Sequence, residues 1–303
     1  MEQFFVIGLD GGGTKTEAVI LDQEGTVIAS GTGGSANVTF VGYEVARQSI
    51  RDAISALAPK IDMSQVKTAG SCVMVGPGET EEILRQRGFS GRFYWFSEPA
   101  VAFRCAGLLS ARGVAVVAGT GSCFRVCDGV KVKEALGGWG MAVSDEGSAF
   151  DIGLTAIKAA GRSLDGRGPK TRLLELLQKE AGSERFDVLL TTYCYPALKQ
   201  REVASLAKVV TEAAKDGDEV AIQILASAGE SLGKDTAHVA KRVYNRDDEF
   251  DIALSGGVFN AGDLVVDSLQ ESVLAEFPMA KIHLPKMSAG EAAARLALES
   301  LDL

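Results

Sequence analysis

The stretch Phe4–Thr16, FFVIGLDGGGTKT, decides how the rest of the chain is read. Its apolar first half reads as a buried strand. It closes on Asp10, three successive glycines and Thr14-Lys15-Thr16, after which Glu17–Asp22, EAVILD, resumes as a second strand. Three glycines at a hairpin tip cost backbone entropy and pack no side chain. What they permit is close approach of backbone N–H groups to an anion. An Asp at the strand end beside such a site suits a hydrated Mg²⁺. Spacing alone leaves a ligand-free glycine hairpin equally open. The motif is neither a GxGxxG loop opening a helix nor a P-loop ending in GK[ST], because a strand follows it.

The 303 residues, 46% hydrophobic and 23% charged, have the length and composition of two globular domains. A net charge of -9 argues against a nucleic-acid partner. No basic segment precedes the first strand and no apolar run reaches membrane-spanning length. Neither a signal peptide nor a membrane partner is therefore expected, and the expected location is cytoplasmic. Five cysteines without a CxxC pair read as buried thiols of a reducing compartment. Cys123 and Cys127 share a strand face but have no metal-binding companions in view. The two histidines, His238 and His283, fall in a helical pattern and a short strand, so any catalytic base should be a carboxylate.

Downstream of the hairpin the pattern gives a strand at Val27–Gly31, a loop at Gly31–Asn37, and a helix over Gly42–Leu57 closed by Pro59. A strand at Val66–Val75, a helix at Glu79–Arg87 and a strand at Phe93–Phe96 follow. Three meandering strands and then alternating helix and strand predict a mixed sheet with helices on its faces. In Ser97–Phe103, SEPAVAF, Pro99 keeps Glu98 out of the α region and opens a helix running to about Leu109. Glu98 then stands at a strand end where the helix dipole favours a carboxylate, and helix capping is its competing role.

The arrangement then repeats. Val114–Ala118 is a strand, Gly119–Ser122 (GTGS) a small-residue turn, Phe124–Asp128 a strand, Asp128-Gly129 a hairpin turn and Val130–Lys133 a strand. Two such hairpins predict a duplicated domain with a cleft between the halves, whose facing turns would grip a polyphosphate. Gly137–Gly153, GGWGMAVSDEGSAFDIG, places Trp139 among glycines and Asp145-Glu146 before a helix start. Trp139 is core or ligand contact, and capping is the default role of the acidic pair. Helices over 148–163, 171–181, 201–215 and 218–244 form an insert without a reactive constellation. A strand at Asp251–Ser255, then Gly256-Gly257 and a helix from Asp263, allow close ligand approach at the strand end. A strand at Ala280–Leu284 and an Ala-rich helix over Ala289–Leu301 close the chain.

Together, DGGGTKT (10–16), GTGS (119–122), GGWG…SDEGSAF (137–150) and SGGV (255–258) occur in this order over most of the chain. The set resembles the N-acetylglucosamine kinase branch of the BadF/BadG/BcrA/BcrD ATPase family, within the sugar kinase/Hsp70/actin superfamily. The resemblance implies an α/β fold: two ribonuclease-H-like, actin-like ATPase domains with mixed five-stranded sheets, flanked by helices, around a central cleft. It places the first domain at residues 1–110 and the second at 111–288 with a helical insert at about 148–245. The closing helix, 289–303, packs back on the first domain.

The same resemblance implies ATP and Mg²⁺, an amino-sugar acceptor, and a homodimer. Asp10 would lie near the Mg²⁺, through water, and Gly11, Gly12, Gly13, Thr14, Lys15 and Thr16 would meet the β- and γ-phosphates. The Lys15 charge would either assist there or be simply solvated. Gly119, Thr120, Gly121 and Ser122 would meet phosphate from the other domain, and Gly256 and Gly257 would flank adenosine. Asn37, Glu98, Gly138, Trp139 and Asp145 would hold the sugar. One position departs from the family: its base is an Asp, and here Glu98 stands in its place, followed by Pro99. An extra methylene moves the carboxylate by roughly 1.5 Å, and a misplacement of about 1 Å can cost on the order of a hundredfold. Phosphoryl transfer is nonetheless mostly positioning and charge stabilisation, which a Glu can supply from a backbone set further back.

The expected activity is phosphorylation of the 6-hydroxyl of an amino sugar, with N-acetylglucosamine, glucosamine, N-acetylmuramic acid and glucose all open. Two alternatives remain. One is an activator ATPase of a 2-hydroxyacyl-CoA dehydratase-type enzyme, against which the absence of its cysteine loops argues. The other is a sugar sensor that has lost catalysis through Glu98.

Overall fold

A computed structural model describes residues 4–57 and 61–301 of the chain. Pro59, the predicted stop of the first long helix, lies outside the described residues. The chain divides into two compact units, residues 1–111 with 285–303 and residues 112–284.

The first unit opens with β1 (Phe5–Gly11), β2 (Thr16–Asp22) and β3 (Val27–Gly33). There follow a one-turn α1 (Val38–Val41), α2 (Tyr43–Ser55), β4 (Val66–Val73), α3 (Pro77–Arg85), β5 (Arg92–Trp95) and α4 (Glu98–Cys105). The sheet order is β3-β2-β1-β4-β5, with β1–β2 and β2–β3 antiparallel and β1–β4 and β4–β5 parallel. Both faces of β1 are covered, which is why it reads as an unbroken apolar run rather than an alternating one. Ile7 and Leu9 pack with Ile50 and Ile54 of α2 and with Ile83 and Leu84 of α3. Val6 packs on the opposite face, with Ala294 and Ala297 of the last helix.

The second unit holds β6 (Arg112–Ala118), β7 (Ser122–Asp128) and β8 (Val132–Gly137). Its helices are α5 (Ala149–Leu164), α6 (Leu173–Glu180), α7 (Phe186–Tyr193), α8 (Gln200–Ser205), α9 (Ala207–Lys215) and α10 (Glu219–Ala240). Then come β9 (Asp251–Ser255), a 3₁₀ turn at Gly257–Ala261, α11 (Asp263–Glu276) and β10 (Lys281–His283). The order β8-β7-β6-β9-β10 repeats that of the first sheet, strand for strand. One large core joins Val114, Val116, Phe124 and Val126 to the helices of the insert. The chain returns to the first unit as α12 (Ala289–Glu299).

At α4 two predicted boundaries move. Pro99 is expected to hold Glu98 outside the helix, yet α4 begins at Glu98. Ser97 takes the cap: it is extended (φ -73, ψ 150) and its hydroxyl accepts from the Ala100 amide. Pro99 then occupies the second helical position, where its missing N–H is not needed. The helix also stops at Cys105, well before Leu109. Gly107, at φ +82, reverses the chain, with Leu108 N donating to Phe103 O at 3.0 Å and Gly107 N to Arg104 O at 2.9 Å. This is a Schellman ending, for which glycine is the favoured residue.

The insert contains two more helices than the pattern predicts. Phe186–Tyr193 forms α7, and the expected helix over 201–215 is divided at Leu206 into α8 and α9. No Gly or Pro marks that division. Among the described residues no helix is long and apolar enough to cross a membrane.

Candidate active site

In the first unit the candidate residues gather where β1 ends. Asp10 is half-buried and stands in register opposite Glu17 on β2 and Cys72 on β4. Its carboxyl is pushed up to about 7, first by burial, then by Glu17 and then by Glu98, with Lys15 opposing. The structure thus brings Asp10 and Glu98 into one electrostatic neighbourhood, although 88 positions separate them in sequence. The glycine turn between β1 and β2 is closed by Gly12 N donating to Lys15 O at 3.1 Å. It is pinned from below, since Gly12 O accepts from Ala36 N at 3.2 Å and from the Ser35 hydroxyl at 3.1 Å. Thr16 is fully buried and its hydroxyl donates to Gly34 O at 2.9 Å.

That pin continues to Asn37, which is 8% exposed. Its amide donates to the Ser35 hydroxyl, and its Oδ1 caps α1 by accepting from Thr39 N at 3.0 Å. Asn37 is therefore held rigidly one hydrogen-bond step from the turn. Its side-chain NH₂ is the group it can offer to a ligand.

Glu17 is a member of this site that the motifs do not reveal. One oxygen lies 3.3 Å from Lys15 Nζ and the other accepts from Gly290 N at 3.2 Å, near the start of α12. Its placement opposite Asp10 follows from counting back equally on both arms of the hairpin, so the signal is present once the turn is located. Asp10, opposite Glu17 and near Glu98, is a carboxylate at a strand end that could hold a hydrated divalent cation. Among the described residues no group of three or more His, Cys, Asp or Glu side chains is arranged to hold a metal. A cation here would rest on Asp10, waters and ligand oxygens.

The second unit carries the repeat of this turn. Gly119 N donates to Gly121 O at 2.9 Å. The carbonyls of Gly119 and Thr120 accept from Ala149 N (2.9 Å) and Phe150 N (3.3 Å), the first two amides of α5. Ser122 N donates to Asp145 Oδ1 at 3.0 Å, and the Ser122 hydroxyl donates to Glu146 O at 2.9 Å. Asp145 is 4% exposed, and its carboxyl is raised by burial and by Glu146 and Asp151. Gly138 N donates to Ser122 O at 3.0 Å, which fastens the Gly137–Gly140 loop to the same turn. On that loop Trp139 is 77% exposed, so it is not a core residue.

Gly256 and Gly257 play different parts. Gly256 has φ +110, and a Cβ there would lie 2.2 Å from Ala118 O. It lets β9 end directly against the end of β6. Gly257 faces open space. All five cysteines are free thiols, with Cys105, Cys123 and Cys127 buried.

Comparison with known proteins places these features in context. The sequence profile of the BadF/BadG/BcrA/BcrD ATPase family matches residues 7–296. An N-acetylmuramic acid/N-acetylglucosamine kinase of Clostridium acetobutylicum is 29% identical, over 98% of this chain and 99% of its own. An N-acetyl-D-glucosamine kinase of Dictyostelium discoideum is 26% identical over 99% of both chains. The crystal structure of a ROK family glucokinase from Streptomyces griseus, in complex with glucose and AMPPNP, superimposes with a TM-score of 0.65. It is 18% identical, and the match covers 97% of this chain and 99% of that one. That likeness identifies the fold as that of the actin-like sugar kinases.

Proposed function

The chain belongs to the BadF/BadG/BcrA/BcrD ATPase family, and we propose that it is an ATP-dependent kinase that phosphorylates the 6-hydroxyl of an amino sugar. The observation that carries this reading is the convergence of Asp10 and Glu98 beside the glycine turn of β1 and β2. The names of the two full-length kinase relatives supply the acceptor class.

Each residue then has a task. The Gly11–Thr16 turn presents backbone N–H groups to the β- and γ-phosphates, with Lys15 released from Glu17 to add charge. The turn at Gly119–Ser122 meets phosphate from the second unit, with Gly257 open beside the adenosine. Asn37, Glu98, Gly138, Trp139 and Asp145 serve the acceptor. Glu98 orients the attacking hydroxyl and takes its proton as its oxygen bonds to the γ-phosphorus and the bond from that phosphorus to the β-phosphate oxygen breaks, releasing ADP. Asp10 would hold a hydrated Mg²⁺, which when bound would offset the negative charge of the phosphates.

A coupled assay of ADP release across N-acetylglucosamine, glucosamine, N-acetylmuramic acid and glucose tests the proposal. At least one amino sugar should stimulate release, and the product should carry phosphate on the oxygen of C6. ADP release indifferent to all four sugars would sink it. Glu98→Gln should lower kcat by about a hundredfold or more, the usual worth of a positioned proton acceptor. It should leave nucleotide binding in place.

A further inference from the structure

Glu17 is held from two directions, by groups of unequal strength. Its side chain is only 13% exposed, and it stands opposite Asp10 across the first hairpin. One oxygen lies 3.3 Å from Nζ of Lys15, a side chain that is 61% exposed. The other accepts from Gly290 N at 3.2 Å, the second amide of α12. The third amide, Glu291 N, is taken by the cap residue Ser288 at 3.2 Å. Glu17 thus completes the first turn of a helix that lies 273 positions along the chain. A carboxylate accepting an N–H at a helix N-terminus makes a charge-assisted bond, roughly twice as strong as a neutral one. An ion pair with an exposed lysine contributes little. Gly290 is buried and leaves this contact room: a Cβ there would lie 2.9 Å from Glu17 Oε2 and 3.1 Å from its Cγ.

We infer that Glu17 is a positioning residue for Lys15, an acceptor shared between the β1–β2 turn and the first turn of α12, which couples nucleotide binding to the seating of that helix. The inference rests on the kinase reading for the identity of the ligand; the sharing itself stands on the geometry. A phosphate at the turn draws the Lys15 ammonium off Glu17, the weaker of the two holds. The carboxylate is then left wholly to Gly290 N, and the first turn of α12 tightens. Linkage makes the exchange reciprocal. Whatever displaces Glu17 from α12 leaves it to Lys15, and the nucleotide is held less well. Lys15 serves the nucleotide, so affinity for the acceptor stands outside the exchange.

Hydrogen exchange at the Gly290 amide, followed by NMR, reads the sharing without any ligand. Glu17→Ala removes the acceptor and should speed that exchange at least about tenfold, as expected for a bond to a charged group. Glu17→Gln keeps an acceptor and should restore most of the protection. Lys15→Met leaves Glu17 to the helix and should slow the exchange about twofold to fivefold, the worth of an exposed ion pair. Circular dichroism verifies the fold of each variant. ADP should slow the same exchange in wild type and leave it unmoved in Lys15→Met. That readout needs nucleotide alone, so it stands apart from whether any sugar is phosphorylated. In kinetics, Gly290→Ala crowds the carboxylate away from α12, and it should raise KM for ATP about twofold to fivefold with KM for the amino sugar unchanged. Combined with Lys15→Met, it should have no effect on KM for ATP. Gly290 exchange unmoved by Lys15→Met overturns the inference, and so does slowing by ADP that persists in that variant. A Gly290→Ala effect that survives without Lys15, or that falls on the sugar, overturns it as well.

Discussion

Asp10 is the residue whose ionisation the fold disturbs most usefully. Its carboxyl is raised from 3.8 to about 7, so between these values the folded protein holds a proton that the unfolded chain has released. The resulting stabilisation is complete below about pH 4 and is lost as pH rises through about 7. Against Asp10→Asn, which has no such proton, wild type should lose about 4 kcal/mol of stability from pH 4 to 8, read from denaturant midpoints without metal or nucleotide. A wild-type profile parallel to that of the variant would refute the assignment. If Asp10 holds the metal of a metal–nucleotide, as proposed, binding needs its ionised form, and affinity should climb as pH passes about 7. Because Glu17 raises Asp10 more than Glu98 does, Glu17→Gln should move that climb to lower pH by more than Glu98→Gln. Calorimetric titrations at several pH values decide the order.

At the scale of the element, α12 approaches the first sheet through its glycines. A Cβ on Gly8 would lie 2.1 Å from Gly290 O and 2.2 Å from Ala294 N, and one on Gly70 would lie 2.2 Å from Ala293 O. These are backbone atoms, which cannot swing aside. Gly8→Ala should therefore destabilise by about 3 kcal/mol, the upper range of overpacking, measured by chemical denaturation. A change under about 0.5 kcal/mol would show that the helix can retreat. Nothing in the sequence marks Gly8 as a helix-packing position, because its partner is nearly three hundred residues away. The strands themselves were legible: apolar runs such as Phe5–Leu9 and the paired Gly/Thr turns gave both hairpins and the repeat. The places of Asp10, the turn and Glu98 at strand ends follow from residue type and spacing, while the roles proposed for them follow from the resemblance. What sequence could not supply were effects set by tertiary partners. Ser97 sets the start of α4, the division of α8 from α9 at Leu206 carries no Gly or Pro, and Gln200 reaches Asp145 from 55 positions on.

For the molecule as a whole, the repeat of one sheet order in two units gives each half its own glycine turn at the same place in the topology. The halves differ in how they are completed. The second unit is one continuous segment, residues 112–284, whereas the first needs residues 285–303 from the far end of the chain. Those residues bring α12, whose Ala292, Ala293, Ala294 and Ala297 are wholly buried. At about 0.8 kcal/mol for each buried methyl, these four alone contribute about 3 kcal/mol to the first unit. The tie from Glu17 to Gly290 and that from Arg104 to Glu299 (2.7 Å) add to this. A chain ending at Leu284 should thus lose order selectively. In hydrogen exchange followed by mass spectrometry, peptides of β1 and β4 should exchange within minutes, while those of β6 and β9 keep full-length protection. Adding back a peptide of residues 285–303 should slow exchange in β1 and β4 and leave β6 and β9 unaltered. Equal loss in both units would mean that the second cannot hold its fold without the first. Equal retention would mean that α12 covers the sheet without supporting it.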